Sequence, residues 1–234
     1  MSEPTVHSFP ASRAFDWLSA GWRSFKAAPQ TWLIATAVAI GISVLLGLVP
    51  KLGQLLANFA SLFFFGGLLL IARDLEAGEK PPIARVFAVF QSHMVPVLLT
   101  TLLMTLVLGM LVFLVVIFAG GTAVVGGLMS GAGKQAGGFA SAALVLVGVL
   151  AIAAVSSAMW FAPGLVVLRN VGAWDSIKQS VQGWLRNWSA MLLLSVIFLG
   201  LAIVASIPFG LGWLVLTPVL SAASYASIKD VFGE

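Results

Sequence analysis

Long stretches of this chain contain no charged side chain. They run from Ala27 to Pro50, Leu52 to Ala72, Val86 to Gly133, Gln135 to Leu168 and Asn187 to Ile228. A helix that crosses a bilayer needs about 20 mainly apolar residues. The first two runs hold one such helix each. The third and fourth hold one each, with polar or Gly-rich flanks. The last holds two, separated by a turn at Pro208-Phe209-Gly210. The pattern predicts six spans, at about 31–50, 53–72, 95–119, 143–168, 189–207 and 211–228.

Between the runs the period is helical but the faces are mixed. Phe15, Leu18, Trp22 and Phe25 recur at helical spacing, with Asp16, Arg23 and Lys26 elsewhere on the wheel. Trp174, Ile177, Val181, Trp184 and Trp188 do the same beside Asp175, Lys178 and Arg186. A shorter set is Ile83, Val86 or Phe87, and Phe90. Such segments read as short amphipathic helices lying in the membrane interface. Trp22, Phe25, Trp174, Trp184 and Trp188 are the candidate contact residues of that interface, at the depth where aromatic belts sit.

The charge pattern orients the chain. Arg13, Arg23, Lys26, Arg73, Lys80, Arg85, Arg169, Lys178, Arg186 and Lys229 fall on one side of six spans; only Lys51 and Lys134 fall on the other. Loops rich in Lys and Arg stay in the cytoplasm, so both termini are expected there. Residues 1–13 read as a mobile cytoplasmic tail, and 119–141 as a Gly-rich periplasmic loop or frayed helix ends. Each interfacial helix precedes two spans, so 14–72, 82–168 and 173–230 are candidate copies of one hairpin unit. Ala14-Phe15-Asp16 echoes Ala173-Trp174-Asp175.

Composition agrees with this all-α, polytopic membrane bundle. Of 234 residues 60% are hydrophobic and 9% charged, where a soluble domain carries roughly 25% charged. The net charge of +4 is spread over short loops that meet anionic headgroups, and does not point to nucleic acid. No Cys occurs, which removes disulfides, thiolate metal sites and Cys nucleophiles.

Stripes of small residues mark the expected seams between spans: Ala35, Ala39 and Ser43; Thr101, Thr105 and Gly109; Ala154, Ala158 and Ala162; Pro218, Ala222 and Ala226. Pro163 and Pro218 should kink their spans. Gln54 and Asn58, four apart, are the most polar span residues. With the two prolines they are the candidate contacts for a solute or lipid.

Chemistry is sparse. No Asp, Glu, Lys or Arg lies in mid-span, where an ion-coupled pump or intramembrane enzyme would need one. Ser130-Gly131-Ala132-Gly133-Lys134-Gln135 lacks the first Gly and the final Ser/Thr of a phosphate loop. Asp74, Glu76 and Glu79 share their loop with three basic residues and read as a solvated turn. Catalytic residues, metal ligands and cofactor sites are therefore expected to be absent, and the chain is expected not to be an enzyme.

Several motifs together carry a resemblance. They are Gly21-Trp22, Arg73-Asp74-Leu75-Glu76-Ala77-Gly78-Glu79, Phe161-Ala162-Pro163-Gly164, Ile207-Pro208-Phe209-Gly210-Leu211-Gly212 and Lys229-Asp230-Val231-Phe232. With these the chain resembles a proteobacterial family of uncharacterised small integral membrane proteins. The resemblance implies a bacterial inner-membrane location and brings no activity. The expected function is that of a non-catalytic scaffold, assembly partner or regulator, acting on the lipid bilayer, a membrane-protein partner or a second copy in a homodimer. The alternative is a transporter or channel for a neutral or lipid-like solute.

Overall fold

The computed structural model describes the backbone of residues 6–129 and 135–233, and the side chains of these except 119–141. Among the described residues there are helices and turns and no strand. Five stretches are long and apolar enough to cross a membrane: Pro29–Gly47, Gly53–Glu76, Met94–Phe118, Ala142–Arg169 and Trp188–Ser206. Contacts divide the chain into two units, residues 1–101 with 160–234, and residues 102–159.

The larger unit opens with α1 (Arg13–Ala27) and α2 (Pro29–Gly47). Pro29 starts α2, where its missing N–H costs nothing. A turn follows, with Lys51 at φ 67°, and leads into α3 (Gly53–Glu76). The third expected interfacial helix is not one continuous helix. It is a 3-10 turn, Ile83–Phe87, followed by the single-turn α4 (Ala88–Ser92). Gly67 explains why it sits so close to α3: the Val86 backbone occupies the space a Cβ would need.

The unit continues with α7 (Ala162–Arg169), α8 (Ala173–Arg186), α9 (Trp188–Ser206) and α10 (Trp213–Phe232). Asn170 ends α7 in the left-handed region at φ 54°, which Asn tolerates. The turn expected at Pro208-Phe209-Gly210 is present, with Phe209 at φ 53° and Gly210 at φ 81°. Thr217, Ser221, Ser224, Tyr225, Ser227, Lys229 and Asp230 dilute α10, so it is long enough to cross a membrane but not among the five apolar stretches. It is nonetheless closely encased. Nearly all of Leu216–Ile228 is buried among α1, α2, α3, α7 and α9.

The smaller unit is built from the rest of α5 (Met94–Met129) and α6 (Gln135–Ala158). Backbone helix therefore runs through most of the segment expected as a Gly-rich loop. Ser130–Lys134 lie outside the described residues, and with them the candidate phosphate loop and one of the two outer lysines. The helices meet at Gly148, where a Cβ would stand 2.5 Å from Val115 Cγ1. The expected seam residues Thr105, Gly109 and Ala154 face outward instead. A Cβ on Gly109 would meet nothing within 4 Å.

Pro163 does not kink a continuous span. The helix stops at Ala158, and a new one starts at Ala162 with Pro163 in its first turn. Pro lacks only a donor that the first turn leaves unused. The Ser180 hydroxyl accepts the Phe161 N–H at 3.0 Å and so ties the restart to α8. Pro218 lies inside α10, which continues through it.

Residues 6–9, in the segment expected as a mobile tail, are hydrogen-bonded to α10 and to the α8–α9 joint. His7 N–H donates to Val231 O at 2.8 Å. Phe9 N–H donates to Asn187 Oδ1 at 2.8 Å, and Asn187 Nδ2 donates to His7 O at 2.9 Å. Arg186 holds Val6 O. Asn187 is buried at the α8–α9 joint, and its amide reads the tail as a strand would. Nothing in the local sequence of the tail announces a partner about 180 residues away.

Candidate functional site

On the two longer amphipathic helices the aromatic stripe divides between buried and exposed positions. On α1 the buried residues are Ala14, Trp17, Gly21 and Phe25, while Phe15 and Trp22 are exposed. On α8 they are Ser176, Ile177, Ser180 and Gly183. On both helices small residues let the backbone approach its neighbours; on α1 Trp17 and Phe25 are buried beside them, while Phe15 and Trp22 turn outward. A Cβ on Gly21 would collide with the Val219 carbonyl of α10. Gly183 packs against the Phe232 ring in the same way.

Of the five aromatic interface candidates, Trp22 is 46% exposed and Trp174 and Trp188 are each 59% exposed. Phe25 is buried and stacks on Trp22 at 5.5 Å. Trp184 is half-buried, its indole N–H without a hydrogen-bond partner among the described residues. Two of the exposed rings carry a cation one helical turn on. Lys26 Nζ lies 6.0 Å from the Trp22 ring, and Lys178 Nζ 5.9 Å from the Trp174 ring.

Behind this face the charges tie the chain to itself at one end of the unit. Asp230 accepts from Arg13 Nε at 2.9 Å and from Trp17 Nε1 at 2.7 Å. The hydrogen bond that Arg13 donates to Asp230, opposed by burial, raises the Arg13 pKa above its ordinary value. Asp74 is buried and takes two bonds from Arg85, at 2.6 and 3.2 Å. Glu76 Oε2 accepts from Tyr225 Oη at 2.7 Å and from Lys229 Nζ at 3.1 Å. Arg169 caps the last carbonyls of α10, those of Phe232 and Gly233. The acidic loop is thus no open turn, because Asp74 and Glu76 each serve their own cations.

Two cavities meet at α1. The polar one is about 280 Å³ and lies between α1, α3 and α10. Arg23, Ser24, Glu76 and Tyr225 line it, and five alanines (Ala20, Ala27, Ala72, Ala222 and Ala226) make the room. The apolar one is about 620 Å³ and lies between α1, α9 and α10. It extends from Trp22 and Arg23 to Pro208 and Gly212. Arg23 lines both. This junction escaped the sequence reading, because α1, α3 and α10 come from opposite ends of the chain. Its one local signal is Tyr225, the only Tyr in the chain.

The candidate solute contacts are not brought together. Gln54 and Asn58 bond each other at 3.1 Å on an exposed helix face. Gln54 also lines a groove of about 480 Å³ between α2 and α3, with Ser43, Ser61 and Thr217. Pro163 and Pro218 are buried in helix packing and do not line that groove. Ser156 bonds its own helix, donating to Ile152 O at 2.7 Å.

Residues 23–232 match a family described as a domain of unknown function, DUF7847. No curated protein and no solved structure matches the chain.

Proposed function

We propose that this chain, which belongs to the DUF7847 family, is a non-catalytic membrane scaffold, an assembly or regulatory partner of other membrane proteins. One observation carries the reading. Many of the ionisable groups at the charged end close the chain on itself, through Asp230, Asp74, Glu76 and Arg169. They build a plate that presents Trp22, Trp174 and Trp188 outward. A plate of this kind suits contact with a partner and leaves most of its acids engaged.

The topology belongs to the same proposal. Six spans place both termini in the cytoplasm of a bacterial inner membrane, with α10 as the sixth. A span encased by protein need not be apolar, because its Ser and Tyr side chains meet other helices and not lipid. The recurring order of interfacial segment, span and span supports three related hairpins. The chain has no native Cys, which makes the topology simple to check. A single Cys at Lys51 should react with an impermeant maleimide on intact spheroplasts. Cys at Lys80 or Lys178 should react only after lysis. Labelling at Lys178 from outside would invert the bundle or change the number of spans before it, and a Cys at Lys229 that reacts from outside would remove the sixth span.

A second reading, a carrier for a neutral or lipid-like solute, is favoured by the α2–α3 groove with its Gln54, Ser43 and Ser61 lining. Vesicle assays separate the two. The scaffold predicts that reconstituted protein moves glycerol and fluorescent phospholipid no faster than protein-free vesicles. It also predicts that a photo-crosslinker at Trp174 in whole membranes yields one recurrent polypeptide adduct. Solute movement above the protein-free rate, or adducts with lipid alone, would replace the scaffold by the carrier.

A further inference from the structure

We propose that the apolar groove between α1, α9 and α10 holds one anionic phospholipid, its acyl chain along the α9–α10 seam and its phosphate on Arg23. The inference goes beyond the scaffold reading and does not require it.

Three observations converge on this occupant. The first is shape. The groove of about 620 Å³ is walled by Leu18, Trp22, Leu201, Val204, Val215 and Val219 and runs lengthwise toward Pro208. Its walls are aliphatic and aromatic, which suits a hydrocarbon chain and not a polar solute. The second is polarity at one end only. Arg23 and Ser19 stand beside Trp22 at the α1 rim, and no other charged side chain lines the groove. An apolar trough ending in a cation beside an indole has the layout of an amphiphile seated at headgroup depth.

The third is charge complementarity. Arg23 is exposed and makes no hydrogen bond or ion pair among the described residues. The other five arginines are engaged: Arg13, Arg73, Arg85, Arg169 and Arg186 each hold an acid or a carbonyl. The one carboxylate sharing a cavity with Arg23 is Glu76, which already serves Tyr225 and Lys229. A guanidinium offers phosphate two parallel donors. Lys26, one turn on from Trp22 at 6.0 Å, adds a second positive charge nearby. A zwitterionic lipid would bring its own cation to this rim, so an anionic headgroup is the better match.

Native mass spectrometry of the detergent-purified full chain tests the site. The probes are dioleoyl-phosphatidylglycerol and dioleoyl-phosphatidylcholine in mixed micelles. The expected result is one retained phosphatidylglycerol per chain and several-fold less phosphatidylcholine. Arg23→Ala should reduce phosphatidylglycerol retention about tenfold. Arg23→Lys should restore part of it. Val204→Trp, which fills the groove, should reduce retention of both lipids. Lys80→Ala, which removes a cation elsewhere, should leave retention unchanged. Thermal midpoints confirm that each variant is folded. The proposal is overturned if the two lipids are retained equally, or if Arg23→Ala holds phosphatidylglycerol as the parent does. Unchanged retention in Val204→Trp, or a loss in Lys80→Ala as large as in Arg23→Ala, would also overturn it. A dimer whose second copy fills the groove would do the same.

Discussion

Gly21→Ala should be the most damaging single-methyl substitution in α1, and Gly41→Ala should be harmless. Both glycines lie inside helices, and Ala is the better helix former by about 1 kcal/mol. Propensity alone therefore predicts that both variants gain stability. Packing reverses the sign at only one of them. The added carbon at Gly21 would fall on the Val219 carbonyl oxygen and stand 3.1 Å from Ala223 N. These are backbone atoms of α10, held by its own hydrogen bonds, and cannot rotate aside as a side-chain tip would. Either α1 moves off or α10 bends. Overpacking of this kind costs about 1–3 kcal/mol, and the upper end applies where the obstacle is backbone. At Gly41 nothing lies within 4 Å. Thermal unfolding in one detergent, with both variants side by side, checks the pair. The Gly21 variant should lose several degrees, and the Gly41 variant should match or exceed the parent. Equal midpoints would mean that α1 does not lie on α10 as described.

The contrast also shows which parts of the architecture were legible. Helix positions followed from the charge-free runs, because a single Lys or Arg inside a span is costly and its absence over 20 residues is informative. The turn at Pro208-Phe209-Gly210 was readable from its residue types. The buried faces of α1 and α8 were not. Phe15, Leu18, Trp22 and Phe25 read as one outward stripe at the membrane interface, and the stripe divides: Phe15 and Trp22 are exposed while Phe25 is buried. Where the surroundings are apolar the stripe has no reason to turn inward as a whole, and Ala14, Gly21, Ser180 and Gly183 decide the packing by their size. The paired charges were out of reach for another reason. Arg13 and Asp230, or Glu76 and Tyr225, are separated by 217 and 149 positions, and periodicity carries no information over such distances. The junction at Arg23 combines both difficulties, since it needs the correct face of α1 and the correct neighbours.

Asp230→Ala should unlock the amino-terminal segment. The carboxylate Oδ2 takes two donors, Arg13 Nε at 2.9 Å and Trp17 Nε1 at 2.7 Å. They are not equivalent. Trp17 is 1% exposed, so its N–H loses the one acceptor it has among the described residues; stranding a buried donor costs about 1–3 kcal/mol. Arg13 is more than one-third exposed. It keeps Asp16 at 3.3 Å and the Phe9 ring at 5.4 Å, so its share of the loss is small. The indole therefore dominates, and a total of about 2–3 kcal/mol is expected. Asp230→Asn separates the two contributions, because an amide oxygen can still accept from Trp17 while the ion pair is gone. It should recover more than half of the loss. The raised Arg13 pKa sets the pH behaviour of the ion-pair share: it is fully present below the ordinary Arg value and disappears only as pH rises through the raised one. The parent-minus-Asn difference should therefore not change between neutral and mildly alkaline pH. Limited trypsin digestion gives the structural readout. Phe9 packs edge-on against Trp17 at 6.5 Å, and His7 is bonded to Val231 next to Asp230, so loosening Trp17 should expose Arg13 and Arg23 to cleavage. Cleavage should be several-fold faster in Asp230→Ala than in the parent, with Asp230→Asn between them. Parent-like cleavage in Asp230→Ala would show that Asn187 and Arg186 hold the segment without help from α10.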